Sequence, residues 1–206
     1  MNEKILNAIK ELREKSTKRN FSQTFDLIVS LKEIDVKKPE NKFSEDIVLP
    51  HGRGQEAEVV VFSDSVKDLD CKILTSEDLN KVAKNKRSAK KLAGTTNFFL
   101  SEAKMMPLIG KVLGAYLGPR GRMPKLIAGE NIKSMVKNYK NTVRIRVKDT
   151  PVIQCLVGKQ DMKDDEIAEN VETVIKGLEL RLPKGKRNIR RLLLKFTMGE
   201  PVKIEV

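Results

Sequence analysis

The chain has 206 residues, which is enough for one large domain or for two modest ones. It carries 41 Lys and Arg against 28 Asp and Glu, a net charge of +13, and this balance favours nucleic acid or an anionic membrane surface as the partner. No apolar run approaches the roughly 20 residues that span a bilayer, and the N-terminus has no signal-peptide core. We therefore expect a cytoplasmic protein without a membrane partner.

The two cysteines, Cys71 and Cys155, lie far apart in the chain and match no metal-ligand spacing. We interpret them as reduced, partly buried thiols. The sequence therefore predicts no metal site and no cofactor.

The first third of the chain begins with apolar residues at helical spacing, from Ile5 to Leu12, among Lys and Glu. Alternation over Phe25–Leu31 predicts a strand, and Phe43–Pro50 predicts a second one. The short apolar run Val59–Phe62 is typical of a strand that is covered on both faces.

From Asp64 onwards, short apolar strands alternate with helices, which predicts a three-layer α/β unit. The predicted strands are 72–74, 97–100 and 143–147. The predicted helices are 76–84, with Ser76 as N-cap, 106–113 and 131–137.

After Pro151 the pattern changes to a buried strand over 152–157, a long helix over 161–180, and strands near 192–194 and 202–206. The two ends together predict one α+β domain that is interrupted by the α/β unit. We place the domains at 1–66 with 156–206, and at 67–155. The linkers near Asp64 and Asp149 are then predicted to act as a hinge.

The segment from Gly118 to Lys125 is a stiff basic loop. Its two prolines and two glycines rule out a helix or a central strand, and it carries Arg120, Arg122 and Lys125. A loop of fixed shape with three cations indicates a surface that meets an anion.

The excess charge falls mainly in the middle of the chain by these boundaries. Residues 66–155 contain 19 Lys and Arg against seven Asp and Glu, and the remaining residues contain 22 against 21. Residues 181–195 are also basic, with seven cations and no acid. This run is either a solvated face or a phosphate-contacting loop, for which the candidates are Lys184, Lys186 and Arg187, with Arg190 and Arg191 beyond them.

An enzyme is the main competing class, and the sequence argues against it. Neither phosphate-binding glycine motif occurs, and the single His51 lies in a Pro-His-Gly turn without an evident catalytic partner. The clustered acids stand at a predicted helix start, where the helix dipole explains them. We therefore predict no catalysis. A charge-driven DNA-binding or RNA-chaperone role remains a second alternative.

Three motifs in order carry a family resemblance: the loop of residues 118–125, the turn Leu49-Pro50-His51-Gly52, and Thr197-Met198-Gly199. With them the chain resembles the L-one family of ribosomal proteins, in its archaeal form, over nearly its whole length. The resemblance implies an α+β terminal domain with a split β-α-β arrangement and an inserted, Rossmann-like α/β domain.

The resemblance also implies a function and a site. The expected partners are large-subunit rRNA, exit-site tRNA during release from the mobile stalk, and the protein's own mRNA leader during translational repression. A ribosome-associated protein that is monomeric when free is expected. The implied RNA contacts, carried over by motif, are Phe21, Thr24, Thr197, Met198 and Gly199.

Simpler roles remain open for two of these residues. Phe21 is either a strand-entry residue packed on the core or an apolar contact to sugar or base, and Met198 is either core filler or part of the RNA site. Glu200 stands between the Thr-Met-Gly motif and Pro201, whereas bacterial members of the family usually have proline directly after the motif.

Overall fold

The computed structural model of the chain describes residues 2–17, 19–66, 69–127 and 132–204. The helices of these residues are α1 (Asn2–Lys15), α2 (Ser76–Lys84), α3 (Lys86–Thr95), α4 (Met106–Leu117), α5 (Ile132–Lys140) and α6 (Asp164–Arg181). The strands are β1 (Thr24–Leu31), β2 (Phe43–Val48), β3 (Val59–Phe62), β4 (Lys72–Leu74), β5 (Phe98–Ser101), β6 (Lys125–Leu126), β7 (Thr142–Val147), β8 (Val152–Lys159), β9 (Ile189–Phe196) and β10 (Val202–Ile204). No helix in these ranges combines the length and apolar content of a membrane span.

The chain divides into two compact units, and the second is inserted in the first. We call them the terminal unit (Met1–Gln55 with Asn141–Val206) and the inserted unit (Glu56–Lys140). The predicted boundaries at 66/67 and 155/156 lie 11 and 15 residues too late. The first is wrong because β3, which was assigned to the terminal domain, pairs with β4 and β5 in the inserted unit. The second is wrong because β7, which was assigned to the middle domain, pairs antiparallel with β2 in the terminal unit. The predicted linkers near Asp64 and Asp149 therefore lie inside the units.

The terminal unit is built on a four-stranded antiparallel sheet in the order β10-β9-β1-β8. Strands β8 and β9 flank β1 and are joined by α6, so the connection spans the intervening strand and forms a split β-α-β motif. Helices α1 and α6 cover one face of this sheet. Alternate residues of β1, from Phe25 to Leu31, are buried beneath them with residues of both helices, among them Ile9 and Val171.

The inserted unit is a three-layer α/β fold around a parallel sheet in the order β4-β3-β5-β6. Alternation along β3 divides its core into two layers. Val60 and Phe62 pack with α2, α3 and α4, whereas Val59 and Val61 pack with α5. The fold class predicted from the sequence is confirmed for both units.

The corrected boundaries also change the distribution of charge. The inserted unit contains 16 Lys and Arg against nine Asp and Glu, a net of +7, and the rest of the chain contains 25 against 19, a net of +6. The predicted concentration of charge in the middle domain is therefore wrong. The predicted boundaries counted Arg144, Arg146 and Lys148 of the terminal unit in the middle domain, and they left Glu56, Glu58 and Asp64 of the inserted unit out of it.

Several element boundaries differ from the predictions. Thr75, rather than Ser76, is the N-cap of α2, where its side chain forms a capping box with Asp78. Helix α6 begins at Asp164 instead of Asp161, and α3 was not predicted. The predicted ends at Asn131 and Val206 lie outside the described residues.

Candidate nucleic-acid interface

The predicted residues Thr24 and Thr197 meet where β1 begins and β9 ends. The Thr197 N–H donates to the carbonyl of Thr24 at 3.1 Å, and the two side-chain hydroxyl oxygens lie 2.5 Å apart. The N–H of Gly199 donates to the carbonyl of Phe196 at 2.9 Å, which turns the chain back towards β10. The structure therefore places the Thr-Met-Gly motif in a short turn directly beside the start of β1.

Gln23 organises this turn, and the sequence did not single it out. Its side-chain oxygen accepts from the Met198 N–H at 3.3 Å, and its carbonyl accepts from the Gln160 N–H at 2.8 Å. The side chain is only 4% exposed. A buried residue whose side-chain and backbone oxygens accept from backbone N–H groups of two loops fixes the relative position of those loops. We call Phe21–Thr24 with Thr197–Gly199 the turn cluster.

Arg13 of α1 holds the neighbouring loop from the other side. Its guanidinium donates to the Asp164 carboxylate at 2.7 Å and to the carbonyls of Gln160 and Met162 at 2.9 and 2.8 Å. The same guanidinium lies over the ring of Phe25, 5.5 Å from its centre. The turn cluster is therefore supported by a hydrogen-bonded frame that was not visible as a motif, because its members are 150 residues apart in sequence.

The turn cluster leaves its two large apolar side chains in solvent. Phe21 is 54% exposed and Met198 is 64% exposed. The alternatives in which Phe21 packs on the core and Met198 is core filler are therefore excluded. Glu200 is exposed. A hydrogen bond to Glu11 raises the pKa of the Lys15 ammonium, and the nearby Glu200 carboxylate raises it a little further.

The face of the sheet opposite α1 and α6 continues from the turn cluster as a half-exposed surface. On β1 it presents Asp26, Ile28 and Ser30, which pair with residues of β9. Their partners are Lys195, Leu193 and Arg191 in that order, so two cations lie along this face. Burial raises the pKa of the Asp26 carboxyl, and Lys195 and a hydrogen bond from Thr197 offset part of that rise.

The predicted phosphate-contacting residues Lys184, Lys186 and Arg187 do not join the turn cluster. They lie before the start of β9, beside the far end of β1, where the carbonyl of Asn188 accepts from the Lys32 N–H at 2.8 Å. Because β1 has seven intervals between successive residues, its two ends lie about 23 Å apart. All three predicted residues are exposed, and the Lys184 ammonium forms a surface ion pair with Glu33 at 2.7 Å. Arg191 and Lys195 lie on the sheet between the two ends.

The loop of residues 118–125 in the inserted unit uses part of its charge for its own structure. Gly121 has a φ of +62°, and its N–H donates to the carbonyl of Gly118 at 2.9 Å. The Arg122 guanidinium donates to the carbonyls of Ala93, Gly94 and Thr96 at the C-terminal end of α3, at 3.2, 3.3 and 2.8 Å. These carbonyls are left without helical partners, so Arg122 caps α3.

The other two cations of the loop are exposed. The Lys125 ammonium lies 5.8 Å from the centre of the Tyr139 ring, and Arg120 extends towards Gly94. Arg120 and Lys125 can therefore face an anion. Arg122 instead fixes the loop against α3.

The carboxyl edge of the parallel sheet carries acids. Rossmann-like folds bind nucleotides where the strand order reverses, which here lies between β3 and β5. Ser63 donates to the Glu102 carboxylate there, and the Asp64 carboxylate accepts from the Ser76 N–H at 2.8 Å. Two carboxylates at this edge oppose phosphate binding. The described residues also contain no group of three or more His, Cys, Asp or Glu that could hold a metal ion.

Comparison with known proteins agrees with this architecture. The model of the family described as ribosomal protein L1p/L10e matches residues 12–200. The chain is similar to large ribosomal subunit protein uL1 of Methanobrevibacter smithii, with 40% identity over 99% of this chain and 100% of the relative. The same protein of Pyrococcus horikoshii is 41% identical over 98% of this chain and 96% of the relative. That of Methanocaldococcus jannaschii is 42% identical over 98% of this chain and 95% of the relative.

The resemblance to the archaeal form of the family is confirmed by these relatives. The match spans both units, because residues 12–200 include the whole inserted unit and most of the terminal one. The chain therefore belongs to the ribosomal protein L1p/L10e family and is a non-enzymatic, ribosome-associated constituent of the large subunit that binds its RNA.

Proposed function

We propose that the turn cluster and the open face of the terminal sheet form the surface that recognises one specific structure in large-subunit rRNA. The observation that carries this proposal is the pair of exposed side chains, Phe21 and Met198, on a turn whose backbone is held by buried Gln23. Apolar groups that are exposed on a fixed frame are suited to packing against an unstacked base or a sugar.

The hydroxyl groups of the turn cluster supply a second kind of contact. Thr24 and Thr197 share one hydrogen bond between their side chains, and each hydroxyl has further capacity to donate or accept. A ribose 2′-OH can replace one of the two hydroxyls as hydrogen-bond partner at little cost in free energy. Because DNA lacks this group, the pair favours RNA over DNA of the same sequence.

Cations along the sheet supply affinity without sequence choice. Arg191 and Lys195 lie on the open face, and Lys186 and Arg187 extend the basic track beyond the far end of β1. Contacts from these groups to phosphates would fix the register of an RNA on the sheet. These four of the seven basic residues of 181–195 thus become a positioning element for the RNA that the turn cluster reads.

We assign three finer roles on the same basis. The protein forms the mobile stalk near the exit site and assists release of deacylated tRNA, for which exposed Arg120 and Lys125 are the candidate contacts. It represses its own translation when the mRNA leader presents the same RNA structure to the turn cluster. The free protein is a monomer. The family resemblance supports these roles, and an mRNA leader that fails to compete with the rRNA fragment would contradict the repression.

The variant Met198→Ala tests the assignment of the specific site. We expect its affinity for a structured rRNA fragment to fall by about tenfold to a hundredfold, since burying an exposed Met side chain contributes about 1.5–3 kcal/mol. Its affinity for a plain RNA duplex should not change. Leu180→Ala is the matched control, because Leu180 is an apolar side chain of the same unit that is 90% exposed on α6.

Fluorescence titration with both RNAs at one salt concentration measures these affinities. Equal losses for the fragment and the duplex in Met198→Ala, or an equal loss of fragment binding in Leu180→Ala, would contradict the proposal. Circular dichroism of both variants checks that the fold is retained.

A further inference from the structure

The end of α2 and the exposed side of α3 form a surface that contains cations and no acid. Between Leu79 and Ser101 the chain has six Lys and Arg and no Asp or Glu. Five of these cations, all exposed, form what we call the basic helical surface: Lys84, Lys86, Arg87, Lys90 and Lys91. The sixth, Lys81, pairs with Asp78 at 3.4 Å.

The arrangement of charge in α3 opposes the stability of that helix. Lys86 and Arg87 stand in its first turn, where the helix dipole disfavours cations. Lys86 with Lys90, and Arg87 with Lys91, are like-charged pairs at i and i+4, and each such pair is destabilising by about 0.2–0.5 kcal/mol. In α6, by contrast, Asp164, Asp165 and Glu166 occupy the first turn and Arg181 the last, as the dipole favours.

Other contacts hold α3 in place despite this repulsion. Asn85 accepts from the N–H groups of Arg87 and Ser88, Leu92 and its neighbouring alanines pack in the core, and Arg122 caps the C-terminal end. The helix therefore presents its cations from a fixed position. None of the five forms an ion pair with another residue in the described part of the chain. A rigid helix that carries repelling charges is stabilised when an anion neutralises them.

The chemistry of the surface selects the kind of anion. Residues 76–95 contain no Phe, Tyr or Trp, so there is no platform on which an unpaired base could stack. Lys and Arg over two turns of helix match a row of phosphates. We propose that the basic helical surface binds the phosphate backbone of an RNA double helix, as a second RNA contact separate from the turn cluster.

This inference rests on the proposed assignment of the specific site to the terminal unit. It gives the inserted unit a distinct role, which is to hold helical RNA by charge without regard to sequence. Its contribution is expected to weaken steeply with salt, because each phosphate contact adds about 0.9 to the slope of log affinity against log salt concentration.

The test replaces Lys86, Arg87, Lys90 and Lys91 with Gln in the full chain. At about 0.05 M salt we expect its affinity for a 20-base-pair RNA duplex to fall about tenfold or more, and its salt slope to decrease by about 2 to 4. The matched control replaces four exposed lysines of the same unit, namely Lys104, Lys111, Lys133 and Lys137. That control should stay within about threefold of the native chain, since it removes the same charge from other surfaces.

Equal losses in the two fourfold variants would show a diffuse charge effect and would overturn the proposal, and so would unchanged duplex binding in both. The Gln side chains retain helix propensity and remove repulsion, so α3 should persist, which circular dichroism checks. Failure of the turn-cluster proposal has a different signature. It would appear as unchanged rRNA-fragment binding in Met198→Ala, whatever the duplex affinities are.

Discussion

The turn cluster and the loop of residues 118–125 use their residues in opposite ways. In the turn cluster, buried Gln23 satisfies the backbone, so that hydroxyl and apolar side chains remain for a partner. In the loop, Arg122 donates its hydrogen bonds to carbonyls at the C-terminal end of α3, and Arg120 and Lys125 remain exposed. Charge is therefore the more conspicuous signal in the sequence, whereas the uncharged region is the one that we propose to read one RNA structure.

The cations of one basic motif can have different roles. A guanidinium can donate to several carbonyls at once, so an arginine in a basic loop can be a structural cap. Lys125 is less suited to capping several carbonyls, because its ammonium lacks the planar arrangement of N–H groups that a guanidinium has. The conspicuous loop thus contains one positioning residue and two candidates for anion contact.

The largest effect that would sharpen this comparison is the loss of Arg122. We expect Arg122→Ala to lower the free energy of unfolding of the inserted unit by about 1–3 kcal/mol, because the carbonyls of Ala93, Gly94 and Thr96 lose this donor. Thermal unfolding followed by circular dichroism measures this. Lys104→Ala is the control and should stay within about 0.5 kcal/mol. Unchanged stability together with weaker RNA binding would mean that Arg122 faces the RNA instead.

A smaller effect is expected at Asp26 on the open sheet face. Burial raises the pKa of this carboxyl, so the folded chain holds the proton more tightly than the unfolded chain does. This tighter binding stabilises the folded chain fully when the pH is below the pKa that the carboxyl has in the unfolded chain, near 4. The stabilisation is lost as the pH rises through the pKa that the carboxyl has in the folded chain. Asp26→Asn should therefore be more stable than the native chain at pH 7, and the difference should vanish towards pH 3.

Solvent screening keeps that difference below about 1 kcal/mol, since the side chain is half-exposed. Urea unfolding between pH 3 and pH 7 measures it, and Asp149→Asn is the control at an exposed carboxylate. A variant that is less stable than the native chain at pH 7 would show that the contacts of Asp26 with Lys195 and Thr197 outweigh its burial.

Most elements could be predicted from local patterns, but the partner of one strand could not. Alternation in Val143–Val147 correctly predicted a strand, and yet it pairs with β2, almost 100 residues earlier. Periodicity states which faces are buried but does not name the neighbouring strand. For that reason the second domain boundary, and part of the charge balance calculated from it, were wrong.

The residues of the proposed site could be named from sequence where a motif contains them, whereas the residues that support the turn could not. Thr24 and Thr197 were expected from the family resemblance, and the structure brings them together. Gln23 and Arg13 carry no local signal, because a buried amide and an arginine that holds a distant loop look like ordinary surface residues in sequence. Helix α3 was missed because its many cations obscured the apolar stripe of Ala89, Leu92 and Ala93.

The central claim is that RNA specificity resides in the terminal unit. The most direct measurement is the affinity of a shortened chain, residues 1–55 joined to 141–206, for the structured rRNA fragment and for an RNA duplex. The join is short, because Ala57 and Lys140, just inside the inserted unit, are hydrogen-bonded at 2.8 Å. We predict that the folded, shortened chain keeps its preference for the fragment and binds it within about tenfold of the full chain. Loss of that preference in a folded chain would contradict the account.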